Sequence, residues 1–130
     1  MSQKAILEAF LTHLGTMSNG VPIAWPGINF TPPDSGFWME ARHFPNETEN
    51  QSWEATSKNA YMGFCQVSAY TRPGAGIIAL SGLAEDVIDH FPKGLELAGV
   101  RVRKRPHQSP PIEEGDRVFI PVTIHYLGII

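Results

Sequence analysis

The stretch Gly74-Ala75-Gly76-Ile77-Ile78-Ala79 is where the spacing of residue types first points to a chemistry. It fits G-x-G-x-x-[G/A]. In that turn, glycines let the backbone approach a pyrophosphate, and the following helix N-terminus faces the negative charge. The pattern needs a setting: a strand before it, a helix after it, and an acidic residue closing the next strand to meet a ribose. Here the next strand-like run ends Arg101-Val102-Arg103-Lys104-Arg105, with no acid. A basic end suits a 2′-phosphate, so chain length decides instead. Beyond Ala79 there is room for one helix and two strands, too little for a doubly wound sheet and its crevice. No G-K-[S/T] follows for a P-loop. A simpler reading accounts for every residue: Pro73 presets a turn, and Gly74 and Gly76 relax the backbone where a strand bends into a helix. A small nucleotide- or ligand-binding enzyme using the Gly74–Ala79 turn is kept as the alternative.

Other reactive side chains form no recognisable constellation. The five histidines, His13, His43, His90, His107 and His125, give no H-x-x-x-H and no H-E-x-x-H spacing. His13 and His125 lie among apolar neighbours and read as satisfied core residues. The single cysteine, Cys65, allows no internal disulfide and reads as a small buried apolar residue. No G-x-S-x-G elbow occurs. Glu47, Glu49, Glu113, Glu114 and Asp116 read as solvated loop carboxylates. The sequence therefore assigns no catalytic residue, no cofactor site and no metal ligand.

Charge placement is more informative. Glu85, Asp86 and Asp89 sit in the middle and C-terminal half of the second helix, where the helix dipole disfavours them. Arg101, Arg103, Lys104, Arg105 and His107 form the basic cluster, with Arg101, Arg103 and Arg105 on one face of a strand. Acid on one surface and base on another suit head-to-tail contacts between subunits, which close into rings. Glu85, Asp86, Asp89, Arg101, Arg103 and Arg105 are thus the candidate interface. Trp53, isolated in a polar loop, either packs back on the body or anchors a partner, and on the second reading it joins them. No aromatic residues interleave the basic strip, so base stacking is unsupported.

The elements that hold these residues follow from periodicity. Residues 3–17 read as a helix, with Ile6, Ala9, Phe10, His13, Leu14 and Met17 on one stripe, Ser2 as N-cap and Asn19-Gly20 as stop. The run 21–33 carries four prolines and leaves room for a short edge strand near Val21–Trp25. Residues 37–44 and 60–71 read as strands, joined by a long exposed loop over 45–59. Residues 76–91 read as the second helix. Residues 97–105 and 117–127 read as strands flanking a loop over 106–115, with Pro121 at an edge or bulge. The fold class is α+β: a mainly antiparallel sheet of four to five strands with two helices packed on one face, in the order α-β-β-β-α-β-β.

The 130 residues suit one domain spanning 1–130, able to bury a core without staples. A formal net charge of −3 gives no strong pull toward nucleic acid or anionic membrane. The N-terminus lacks a signal peptide's apolar run, and no stretch is long enough to span a membrane. A reducing cytosol is the expected compartment.

Three segments together carry a resemblance. AWPGINFTPP (24–33), FCQVSAYTRPGAGIIALSGLAEDVIDHFPKG (64–94) and RVFIPVTIHY (117–126), in this order and spacing, resemble the phage tail terminator family near the lambda minor tail protein U. The resemblance implies a small α+β subunit that assembles into a ring on the tail, usually a hexamer, and allows a monomer when the chain is alone. Such a ring caps the tail tube, stops its polymerisation and meets the head–tail connector protein, with DNA passing through the lumen. It implies work in the bacterial host cytoplasm during assembly, then in the virion tail. No catalytic residue and no cofactor come with it.

Overall fold

A computed structural model describes residues 3–17, 20–46, 49–50 and 59–129. Along the chain these form α1 (Gln3–Gly15), β1 (Ile23–Ala24), β2 (Trp38–Pro45), β3 (Glu49–Asn50) and β4 (Asn59–Thr71). Then come α2 (Ile77–His90), β5 (Glu96–Leu97), β6 (Val100–Val102), β7 (His107–Gln108), β8 (Ile112–Glu114) and β9 (Arg117–Ile129). The class is α+β, as the periodicity implies. Ser2, Asn19 and Trp53 lie outside the described residues.

One curled sheet runs in the order β1-β2-β4-β9-β6-β5. The β1–β2 pair is parallel and the others are antiparallel. Strand β9 organises the whole. It pairs with β4 from Val118 to Ile129 on one side and with β8, β7 and β6 in turn on the other. The short strands raise the count beyond four or five. The expected strand over 97–105 turns back at Ala98-Gly99, where both φ angles are positive (51° and 86°) and make a tight hairpin between β5 and β6. The expected loop over 106–115 contributes β7 and β8 to β9's edge, interrupted at Pro110-Pro111. That interruption accommodates Pro121. Its carbonyl accepts from Ser109 N–H at 2.8 Å, so its donorless nitrogen faces the same side, between β7 and β8.

Strand alternation sends one set of side chains under the helices. Met39, Ala41, Cys65, Val67, Ala69, Ile120, Val122, Ile124 and Tyr126 form one cluster with Ile6, Phe10 and Leu14 of α1. Leu80, Leu83, Ala84, Val87 and Ile88 of α2 complete it, with Phe91 just beyond the helix. Both helices therefore cover the same face. Each large side chain buried there stabilises the fold by about 1.5–3 kcal/mol relative to exposure.

Candidate functional site

The glycine turn was the sequence's one chemical signal, and its surroundings do not suit an anion. Gly74 and Gly76 take positive φ (95° and 90°), and Gly76 caps α2 with no side-chain hydrogen bond. Strands β4 and β6, on either side of α2 in sequence, are separated by β9, so the turn is not in a unit of adjacent parallel strands. Arg72 lines the crevice at the turn, but its guanidinium is engaged elsewhere. Its guanidinium donates to Pro33 O at 3.0 and 3.1 Å and to Asp116 Oδ2 at 2.7 Å, and it lies over the Trp38 ring at 5.0 Å. The crevice at the turn, about 260 Å³, is lined by Gly74, Gly76, Ile77 and Glu113 among others. A carboxylate there opposes phosphate by like charge. What the turn does present is apolar: Ile77 is 47% exposed and Ile78 is 90% exposed.

The two charge clusters lie side by side on one subunit. Arg105 reaches back across to α2, 3.5 Å from Glu85 Oε2 and 3.6 Å from Asp89 Oδ1. Gln108 Nε2 also donates to Glu85 Oε1 at 2.9 Å. Arg101 pairs with Glu96 across the β5–β6 hairpin at 3.5 Å. The acidic face of α2 is thus answered from within the same chain, by a residue the sequence placed on a separate surface. Arg105 lies beyond the end of β6, where strand alternation no longer sets its direction. These exposed pairs contribute little to stability. Asp86, Arg103 and Lys104 are exposed and have no ion pair among the described residues.

Strand alternation sends the other set of side chains to the face the helices do not cover. Register places Phe44, Phe64 and His125 in one row across β2, β4 and β9. Phe44 and Phe64 stack at 4.9 Å, and Phe64 meets His125 at 5.7 Å. Six residues along the strands, Trp38, Tyr70 and Phe119 form a second stacked row, with Ile112 of β8 next to Phe119. Between the rows lie Glu40, Arg42, Gln66, Ser68 and Thr123. A cleft of about 520 Å³ opens where Ile28 and Phe30 stand over Trp38, Glu40, Arg42 and Arg117. This aromatic face escaped the sequence reading, although its signal was present. Strand β4 is apolar at both parities, with Phe64 and Tyr70 opposite Cys65, Val67 and Ala69.

Titration follows the same geography. Burial pushes the Tyr70 phenol up to about 12, helped by the Glu40 carboxylate beside it. Burial pushes the Cys65 thiol up, so it stays protonated and is a poor nucleophile. His125 is held below the usual histidine value by desolvation and by the charges of Lys104, His107 and Arg103. It belongs to the uncovered face and not to the core. His43 is lowered by burial and bonds the Tyr126 hydroxyl at 2.7 Å. His13 does find core partners. Its ring stacks on His90 at 4.2 Å, and the Nε2 of each lies 2.6 Å from the other's backbone carbonyl. This reciprocal clasp ties the C-terminal ends of the two helices together.

Comparison with known proteins bears on the arrangement as a whole. The profile of the phage tail terminator protein family matches residues 5–126, from α1 into β9. The chain belongs to that family. Membership carries a structural role in a phage tail and points away from enzymatic chemistry. One solved chain, designated only by a serial number, is 26% identical, with 98% of this chain and 96% of that one covered and a TM-score of 0.76. A chain from the virion of a native gene transfer agent particle has the same fold at 14% identity, with a TM-score of 0.62 over 98% of this chain and 96% of that one. No curated protein matches. No described helix is long and apolar enough to cross a membrane.

Proposed function

We propose that copies of this chain form a ring, a hexamer when seated on the tail. The ring caps the tail tube, halts its polymerisation and joins it to the head–tail connector protein. The observation that carries this reading is the family profile extending over nearly every element of the fold. The virion particle holding a chain of the same fold supports it. The subunit acts as one domain over residues 1–130, works in the host cytoplasm during assembly and then stays in the virion tail. It has no catalytic role, and DNA crosses the ring lumen without being read. Against the enzyme alternative at the Gly74–Ala79 turn, Glu113 lines the crevice there and Arg72 is already paired with Asp116.

The test is tube growth. Tail tube protein polymerising in vitro is followed by electron microscopy with and without the purified chain. Capping predicts that elongation stops and that a ring of density closes one tube end. Tubes that keep growing at the same rate, with bare ends, would contradict it.

A further inference from the structure

Two ends of the sheet differ in charge but share an apolar character. At one end, Ile112 of β8 is exposed (43%) and is followed by the exposed carboxylates Glu113 and Glu114; Ile77, which lines one crevice with Glu113, is followed by Ile78, 90% exposed. Neither carboxylate has an ion pair among the described residues. At the other end, Phe44 is 38% exposed and stacks on Phe64. Next to that row stand Arg103, whose backbone N–H donates to the His125 carbonyl at 2.9 Å, and Lys104 after it; both are exposed and likewise without an ion pair among the described residues. Six residues of β9 separate His125 from Phe119, so the two ends are roughly 20 Å apart at about 3.3 Å per residue.

We propose that these two ends are the complementary halves of the contact between neighbouring copies of this chain. The Ile78/Ile112 end with Glu113 and Glu114 seats against the Phe44/Phe64 end with Arg103 and Lys104 of the next copy. The inference rests on the ring reading and assigns its surfaces. A ring needs a heterologous interface, made of two different patches on opposite sides of one subunit. Each end here joins exposed apolar area to charge without an ion pair, and those charges are opposite in sign, because Arg72 and Arg117 at the first end are held by Asp116. Elsewhere, most surface charges are answered within the chain, as Glu85 and Asp89 are by Arg105. The carboxylates of β8 and the two cations after β6, which stand at opposite ends, have no ion pair among the described residues, as is also true of Asp34, Asp86 and Lys93. Charge at the rim sets register and speeds encounter, while the isoleucines and phenylalanines supply area to bury.

The experiment uses two variants of the whole chain. Glu113→Lys with Glu114→Lys makes both ends basic; Arg103→Glu with Lys104→Glu makes both ends acidic. All four sites are exposed, and thermal melts confirm that each variant folds. Sedimentation at about 50 mM salt, where screening is weak, reads self-association. The expected result is that the natural chain associates and each variant alone is weakened about tenfold or more. Mixing the two variants restores association, because each basic end then meets an acidic one. Variants that associate as well as the natural chain, or a mixture no better than its parts, would overturn this assignment and leave the ring standing. A natural chain that stays monomeric in solution also overturns it, and the tube-growth assay then judges the ring reading by itself.

Discussion

The two faces of the sheet are built from the same strands and do opposite work. Under the helices, alternate residues such as Val67, Ile120 and Ile124 are buried at 0–2% exposure in one continuous apolar cluster. On the other face, the intervening residues Phe64, Gln66, Phe119 and His125 keep aromatic rings and polar groups partly in water. The first arrangement holds the subunit together. The second places apolar area, unpaired charge and titratable groups where another molecule can reach them. A strand with apolar residues at both parities is the mark of a sheet with something to cover on each side.

Substitutions on the two faces should separate stability from assembly. The largest loss is expected from Phe91→Ala. Phe91 is fully buried and stacks on Phe10 at 5.6 Å, so urea denaturation should report a cost of about 3–5 kcal/mol. Next comes His90→Ala, which removes one half of the clasp, the bond from the His90 ring to the His13 carbonyl, together with the ring stack on His13. The His13 ring keeps the carbonyl of residue 90, so one hydrogen bond is lost, at about 0.5–1.5 kcal/mol in the same assay. On the uncovered face, Phe64→Ala removes a cross-strand aromatic pair and should cost only about 0.2–1 kcal/mol. A loss as large as that of Phe91→Ala would erase the distinction between the faces.

The smallest effect is a pH slope. His43 and His125 are both held below the ordinary histidine value of 6.5, so the folded chain binds fewer protons than the unfolded chain below that pH. Stability is then fully present above about pH 6.5 and declines as pH falls through it. Melting temperatures from pH 7.5 to 5 should fall, with a shallower fall in His125→Gln. A rise on acidification would show that these histidines gain anionic partners instead.

Long periodic segments were legible in the sequence. The α1 stripe of Ile6, Phe10 and Leu14, the α2 stripe of Leu80, Ala84, Val87 and Ile88, and the alternation of Val118 through Tyr126 each fix an element and its buried face. Short strands were not legible, because two or three residues give no period. Strands β5, β7 and β8 exist only through their pairing with neighbours. The β5–β6 hairpin was masked by Ala98, which takes a positive φ that its residue type does not announce. The charged residues can be named from the sequence, but their pairing within the chain cannot. Which of Arg101, Arg103 and Arg105 faces α2 depends on where β6 ends, and only tertiary structure sets that. Trp53 lies outside the described residues, and its role as an anchor remains a proposal to be tested by Trp53→Ala in the tube-growth assay.

Native mass spectrometry of the chain, alone and with tail tube protein, tests most directly whether this fold works by joining copies of itself. The account predicts one closed oligomer of fixed subunit number, a hexamer, enriched when tube ends are present. A chain that remains monomeric under every condition, or that grows into open-ended chains of unlimited length, would contradict it.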